Sequence, residues 1–208
     1  MSFFFTKLSY NPRMDIQPKK VLVLGGPTGG GKDTIVELLV KEHPTLVRLT
    51  TATTRQPRVY EAHARDYYFF SNEEFKNAIA AGDIVEHTYF ANRDEYYGTY
   101  KPDLDTKIAR GLVPIAVTDR IGAKYMKEQY GATTITIVPT PFKSLHERFR
   151  SREPDATEEW IMHRIENAKE EIELGKGHFD YTIENAYGRL GETLVEVDNI
   201  LRKEGYIA

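Results

Sequence analysis

A chain of 208 residues, 40% hydrophobic and 28% charged, is long enough to bury a core of its own and too balanced for a disordered or fibrous protein. A formal net charge of −3 gives no basis for a nucleic-acid partner, and no run reaches the roughly 18–20 apolar residues that cross a bilayer. With no cysteine, disulfides, thiolate metal sites and a cysteine nucleophile are excluded, which suits a cytoplasmic protein.

Residues 1–17 read as an N-terminal extension, because Phe3, Phe4 and Phe5 form too short an apolar stretch for a secretory leader. A single domain is expected over 18–208. VLVLGG (21–26) is an apolar run ending in glycines, the pattern of a buried strand running into a loop. Ile35, Leu38 and Leu39 give 33–43 a helical period that Pro44 closes. Between 50 and 100 come aromatic-rich strand candidates such as DYYFF (66–70) and one helix near 72–81. VPIAV (113–117) leads into a helical stretch to 129, and TTITIV (133–138) into a helix from about 142. A last strand near 181–184 precedes a helix over 188–203. Strands alternating with helices require crossover connections, so the fold class is α/β with a parallel sheet flanked by helices. The core is assigned to 18–49, 101–147 and 173–208. A small β-rich insertion occupies about 50–100, and a charged helical lid about 148–172. Ligands of open α/β sheets bind beyond the carboxyl ends of the strands, where both excursions belong.

The chemistry begins at GPTGGGKDT (26–34): Gly26, Pro27, Thr28, Gly29, Gly30, Gly31, Lys32, Asp33 and Thr34. The pattern G-x-x-x-x-G-K-[ST] cradles phosphate with backbone N–H groups and a helix N-terminus, and its lysine reaches the β- and γ-phosphates. The strand before and helix after are the context the motif needs. The last position carries Asp33 where a hydroxyl normally meets Mg2+. Its carboxylate either ligates the metal, with Thr34 offering a hydroxyl one place late, or caps the helix. Arg55 and Arg58 flank a proline turn in TTRQPR, suited to holding one phosphate by two forks. Asp119 in VTDRIG lies just past a strand's end, the edge of an α/β sheet where an acid can meet a bound metal. Arg148 and Arg152, four apart, share a helical face, and Arg164 follows on the next helix. The six histidines show no metal-ligand spacing.

In this order the motifs resemble the guanylate kinase family over about residues 20–203. The matching pieces are GPTGGGKDT, TTRQPR with Glu61, Asp66–Tyr67, the strand-end Glu86, YGT at Tyr97, TDRIG at Asp119, RFRSR (148–152), Arg164 with Glu171, and FDYTIEN ending at Asn185. The resemblance implies a P-loop nucleoside monophosphate kinase that moves the γ-phosphoryl of ATP to GMP or dGMP. Arg55, Arg58, Tyr67 and Tyr97 would hold the GMP phosphate, and Glu86 and Thr99 would read guanine. Asp119 would help or join the Mg2+ shell with Asp33 and Thr34. Lys32, Arg148, Arg152 and Arg164 would stabilise the transferring group. ATP and GMP are the expected partners, Mg2+ the expected cofactor, and a monomer or homodimer the expected assembly. Three departures stand out: Asp33 for serine, no glycine before Asp66–Tyr67, and a loop before Tyr97 about two residues longer than usual. Ribose bisphosphate kinases of phosphonate metabolism also carry G-K-D, but they need no base-reading acid such as Glu86. A non-catalytic kinase-like binding module would not be expected to keep Lys32 and the lid arginines.

Overall fold

The computed structural model describes residues 20–91 and 93–208, so the expected extension over 1–17 lies outside the described residues. Strand β1 (Leu22–Gly25) is buried along its whole length, and a strand apolar on both faces is stable only in the middle of a covered sheet. Its neighbours are β7 (Val113–Val117) and β8 (Thr133–Thr140). The five-stranded sheet runs β2 (Leu46–Arg48), β7, β1, β8, β9 (Tyr181–Ala186), with every pair parallel. Alternate side chains of a strand point to opposite faces, so β1 and the residue before it feed two cores. Leu22 and Leu24 pack with Ile35, Val36 and Leu39 of α1 (Lys32–Glu42) and with Val197 of α7 (Leu190–Lys203). Val21 and Val23 meet Leu104 of α3 (Lys101–Ala109) and Ala123 and Met126 of α4 (Arg120–Tyr130). Behind the sheet the Tyr206 hydroxyl donates to the Val21 carbonyl at 2.7 Å and accepts from the Thr133 N–H at 2.9 Å, tying the last turn of chain to the first strand.

A second sheet forms over the insertion, in the order β4 (Tyr68–Phe69), β3 (Ala52–Thr53), β6 (Glu95–Tyr100), β5 (Ile84–Phe90). One helix, α2 (Asn72–Ala81), covers it by burying Phe75 against Ala52 and Ile84. That helix starts on a capping box, in which the Ser71 hydroxyl accepts from Glu74 N–H and the Glu74 carboxylate accepts from Ser71 N–H, and ends on Gly82 in the left-handed region. The lid is a helix pair, α5 (Ser144–Arg152) and α6 (Glu158–Gly175), with a small core of its own made by Leu145, Phe149, Ile161, Ile165 and Ala168. No helix among the described residues is long and apolar enough to cross a membrane.

The elements differ from the expected ones mostly at their ends. The helix expected from about 142 begins at Ser144, and the α5–α6 pair runs to Gly175, with Leu145 in their shared core. Helix α7 begins at Leu190, two residues past Gly188, whose φ of 78° belongs to the preceding turn. Two elements have no forecast at all: β2, with three residues, is too short to show a period, and α3 buries only Leu104.

Candidate active site

The phosphate loop joins β1 to α1 at the carboxyl edge of the sheet. Gly31 is the N-cap of α1 with φ 93°, and a Cβ there would lie 2.4 Å from Asn185 Nδ2, so only glycine fits both the backbone and its neighbour. Asn185, buried at the end of β9, donates through Nδ2 to the Gly30 carbonyl at 2.8 Å, and Thr193 donates to its Oδ1 at 3.1 Å. Arg148 of α5 adds a second brace, donating to the Gly29 carbonyl at 2.8 Å and the Asn185 carbonyl at 3.2 Å. The loop is therefore held from two sides, and the open N–H groups of α1's first turn are presented as an anion site. Lys32 folds back over the loop and donates to the carbonyls of Pro27 (2.8 Å) and Gly26. Burial lowers its ammonium below the ordinary lysine value, while Glu171 and Asp33 oppose that and Arg152 adds to it.

Asp33, the departure in the loop, does not cap the helix: α1 has no side-chain cap, and Gly31 occupies that place. Instead its Oδ1 accepts from Arg48 Nη2 at 2.5 Å, across from the end of β2. Desolvation works to raise the Asp33 carboxyl, but the Arg48 charge and hydrogen bond, with Lys32 and Arg152, hold it below the usual carboxylate range. Thr34 is exposed one position further along the helix, and Thr28 is exposed in the loop.

The insertion brings its predicted residues into two clusters. In the first, Arg55 pairs with Glu61 at 3.0 Å, and Glu61 also accepts from the Arg58 N–H at 2.8 Å, with Arg58 Nη1 at 3.7 Å. The Arg55 guanidinium lies 5.4 Å from the centre of the Tyr67 ring, and Tyr67 meets Tyr97 edge-on at 6.2 Å. In the second, Glu86 on β5 accepts from the hydroxyl of wholly buried Thr99 on β6 at 2.6 Å. Burial pushes the Glu86 carboxyl up to about 7, against the Thr99 hydrogen bond and with the help of nearby Asp119. The approach of α4 to Glu86 depends on Gly122, where a Cβ would lie 2.1 Å from Thr118 Oγ1 and 3.0 Å from Glu86 Oε1.

Asp119 has structural work of its own. Its Oδ1 accepts from the N–H groups of Ile121 (2.9 Å) and Gly122 (3.1 Å) as the N-cap of α4, and its Oδ2 accepts from the Thr88 hydroxyl at 2.7 Å. Both oxygens are thus engaged in the wall beside Glu86, with three of the carboxylate's roughly four lone-pair sites used.

From the lid, Arg164 places its guanidinium 5.4 Å from the centre of the Trp160 ring and 5.8 Å from that of Phe149. Its Nε is buried with no hydrogen-bond partner among the described residues. Burial lowers this guanidinium, and then the charges of Arg93 and Arg152, with Arg58 adding to them and Glu171 opposing. The charges of Arg93, Arg152 and Arg58 thus all bear on Arg164. Glu171 is raised by burial, against Lys32, and Asp119 adds to the rise. Arg148 and Arg152 have different positions despite their spacing: the first is half-buried against the loop, the second exposed.

Arg48, Asn185, Thr88 and Arg93 were not among the residues singled out for the site. Arg48 had no signal in the sequence, since the strand that carries it is too short to recognise. Asn185 did have one, closing FDYTIEN at a strand end.

The family model for guanylate kinase matches residues 18–204. A guanylate kinase of Thermosynechococcus vestitus is 41% identical over 170 residues, covering 81% of this chain and 87% of that protein. One from Mycoplasmopsis synoviae is 33% identical over 200 residues, covering 92% and 98%. The crystal structure of guanylate kinase from Anaplasma phagocytophilum superposes with a TM-score of 0.68 at 28% identity, covering 88% of this chain and 85% of that one. With the loop, the insertion and the helix pair following one another in this order along the chain, the protein belongs to the guanylate kinase family.

Proposed function

We propose that the protein catalyses ATP + GMP → ADP + GDP. The observation that carries this reading is the buried Arg164 Nε, which has no acceptor among the described residues, on a guanidinium that also feels the charges of Arg93, Arg152 and Arg58. Cations crowded in this way disfavour one another unless an anion joins them, and a transferring phosphoryl group with its two flanking phosphates is such an anion. At the far end Glu86 supplies the base reading. Guanine presents N1–H and a 2-amino group as adjacent donors, and one carboxylate accepts both. Adenine would leave the carboxylate unpaired, at a loss of about 1–3 kcal/mol.

A phosphate oxygen of GMP forms the new bond to the γ-phosphorus while the bond from that phosphorus to its bridging oxygen breaks, and ADP leaves with the electron pair. The acceptor oxygen is already anionic, so no side-chain base is needed. Arg55, Arg58, Tyr67 and Tyr97 orient the acceptor, the loop N–H groups and Lys32 hold the donor, and Arg152 and Arg164 face the charge that moves between them. Arg148 acts one step back, as a brace on the loop. The donor set fits Mg2+ through Asp33, because the ion pair uses Oδ1 and leaves the second carboxylate oxygen. Bound there with the phosphates, the cation would neutralise part of their charge. The enzyme is expected to act on free cytoplasmic nucleotides, as a monomer or homodimer.

A coupled ADP-release assay across GMP, dGMP, AMP, UMP, CMP and ribose 1,5-bisphosphate tests the assignment. Turnover with GMP and dGMP is expected. Turnover with the ribose compound and none with GMP would overturn it. The Glu86→Ala variant should lose GMP use far more than ATP binding, and equal losses in both would remove the guanine-reading role.

A further inference from the structure

The loop carries a carboxylate at the place where the nucleotide's phosphates and their cation must lie. Asp33 is the second residue of α1, next to Lys32, on a short side chain that the helix holds in place. A fixed negative charge there opposes phosphate binding unless something cancels it. The structure offers a partner: Arg48, the last residue of β2, donates to Asp33 Oδ1 at 2.5 Å. The two groups are 32% and 62% exposed, so the pair contributes little to folding. Its place matters more than its strength. Parallel strands deliver Arg48 and the loop to the same edge of the sheet. Arg48 also acts electrostatically on Tyr67 and Asp66, at the mouth of the acceptor cluster.

We infer that Arg48 is a positioning residue of the phosphate site: it is the counter-ion that makes Asp33 compatible with a bound nucleotide, and it acts through Asp33 rather than on the phosphates. The residue type suits the task, since a guanidinium on a long stem reaches across from the neighbouring strand while the carboxylate stays with the helix. When a cation joins the site, the carboxylate has a second source of neutralisation, and the need for Arg48 falls. If Asp33 is removed, Arg48 loses its anchor, and its long side chain turns to solvent, where its charge is screened. The inference rests on the reading of residues 26–34 as a nucleotide phosphate loop.

The test is ADP binding by isothermal titration to the whole protein, once with EDTA and once with Mg2+, for the wild type, Arg48→Ala, Arg48→Lys, Asp33→Ser and the double variant. In EDTA, Arg48→Ala is expected to weaken ADP binding about tenfold, and Arg48→Lys to recover most of that. In Mg2+ the loss should shrink to about threefold or less. In the Asp33→Ser background, adding Arg48→Ala should change the affinity by less than about twofold. A purely structural role for Arg48 would not depend on the cation. An unchanged affinity for Arg48→Ala in EDTA overturns the inference, and an equal loss with and without Asp33 overturns it in favour of direct phosphate contact. If the wild type binds ADP in neither buffer, the phosphate-loop reading falls as well. If it binds and the variants behave additively, only the counter-ion role falls.

Discussion

Glu86 is pulled two ways, and the balance sets a pH dependence. Burial has raised its carboxyl to about 7 from an ordinary 4.5, so the folded protein holds that proton more firmly than the unfolded chain. Between about pH 4.5 and 7 this group therefore removes stability as the pH rises. Guanine recognition runs the other way, because only the carboxylate accepts both donors. The KM for GMP should fall as pH rises through about 7, measured as initial rates from pH 6 to 8.5. The GMP phosphate itself titrates near pH 6, so the comparison is with Glu86→Gln, in which the shared part remains and the fall near 7 is lost. A second residue-scale expectation concerns Gly31. Replacing it with alanine forces a side chain into φ 93° and against Asn185 Nδ2, a strain of about 1–3 kcal/mol. Because Asn185 holds the loop through the Gly30 carbonyl, nucleotide affinity should drop along with the melting temperature.

Among the elements, those with strong periods were legible and those with weak ones were not. VPIAV announces a buried strand because both its faces are apolar, and TTITIV does so through Ile135 and Ile137 on one face; they became β7 and β8. The caps were not read in advance: Thr157 accepts from the Trp160 N–H and opens α6, and Ser71 accepts from the Glu74 N–H and opens α2. Residue type alone singled out the glycine loop, TTRQPR and Glu86, though Glu86 is the third residue of β5 and not at a strand end as expected. The site was not legible where the partner comes from across the sheet. The spacing of 15 residues between Asp33 and Arg48 has no meaning until β2 and α1 lie side by side. The same holds for Thr88, which reaches Asp119 from 31 positions away. The lid offers a test at this scale. Thr157→Ala removes the cap of α6 and should cost about 1 kcal/mol, confined to the lid. Hydrogen exchange is expected to quicken over the first turns of α6 and not in β1 or β8. The value of kcat should fall if that helix must be formed to present Arg164.

The whole molecule is closed by its C-terminal turn. The Tyr206 hydroxyl sits between the Val21 carbonyl and the Thr133 N–H, so Tyr206→Phe removes two buried hydrogen bonds at once. That should lower global stability by about 1–3 kcal/mol in denaturant titration, with kcat per folded molecule unchanged, because the site lies at the opposite edge of the sheet.

Sheet order also dictates when the protein can exist at all. Strand β1 is among the first described segments to leave the ribosome, yet its two neighbours begin at Val113 and Thr133. Until those arrive, an uncharged apolar strand waits with both edges open, and the phosphate loop has no sheet from which to project. The insertion, whose strands and helix all lie between Ala52 and Tyr100, can gather locally in the meantime. Synthesis from the N-terminus therefore makes the acceptor-binding part before the donor-binding part, and ATP has nothing to bind until more than half the chain has been made.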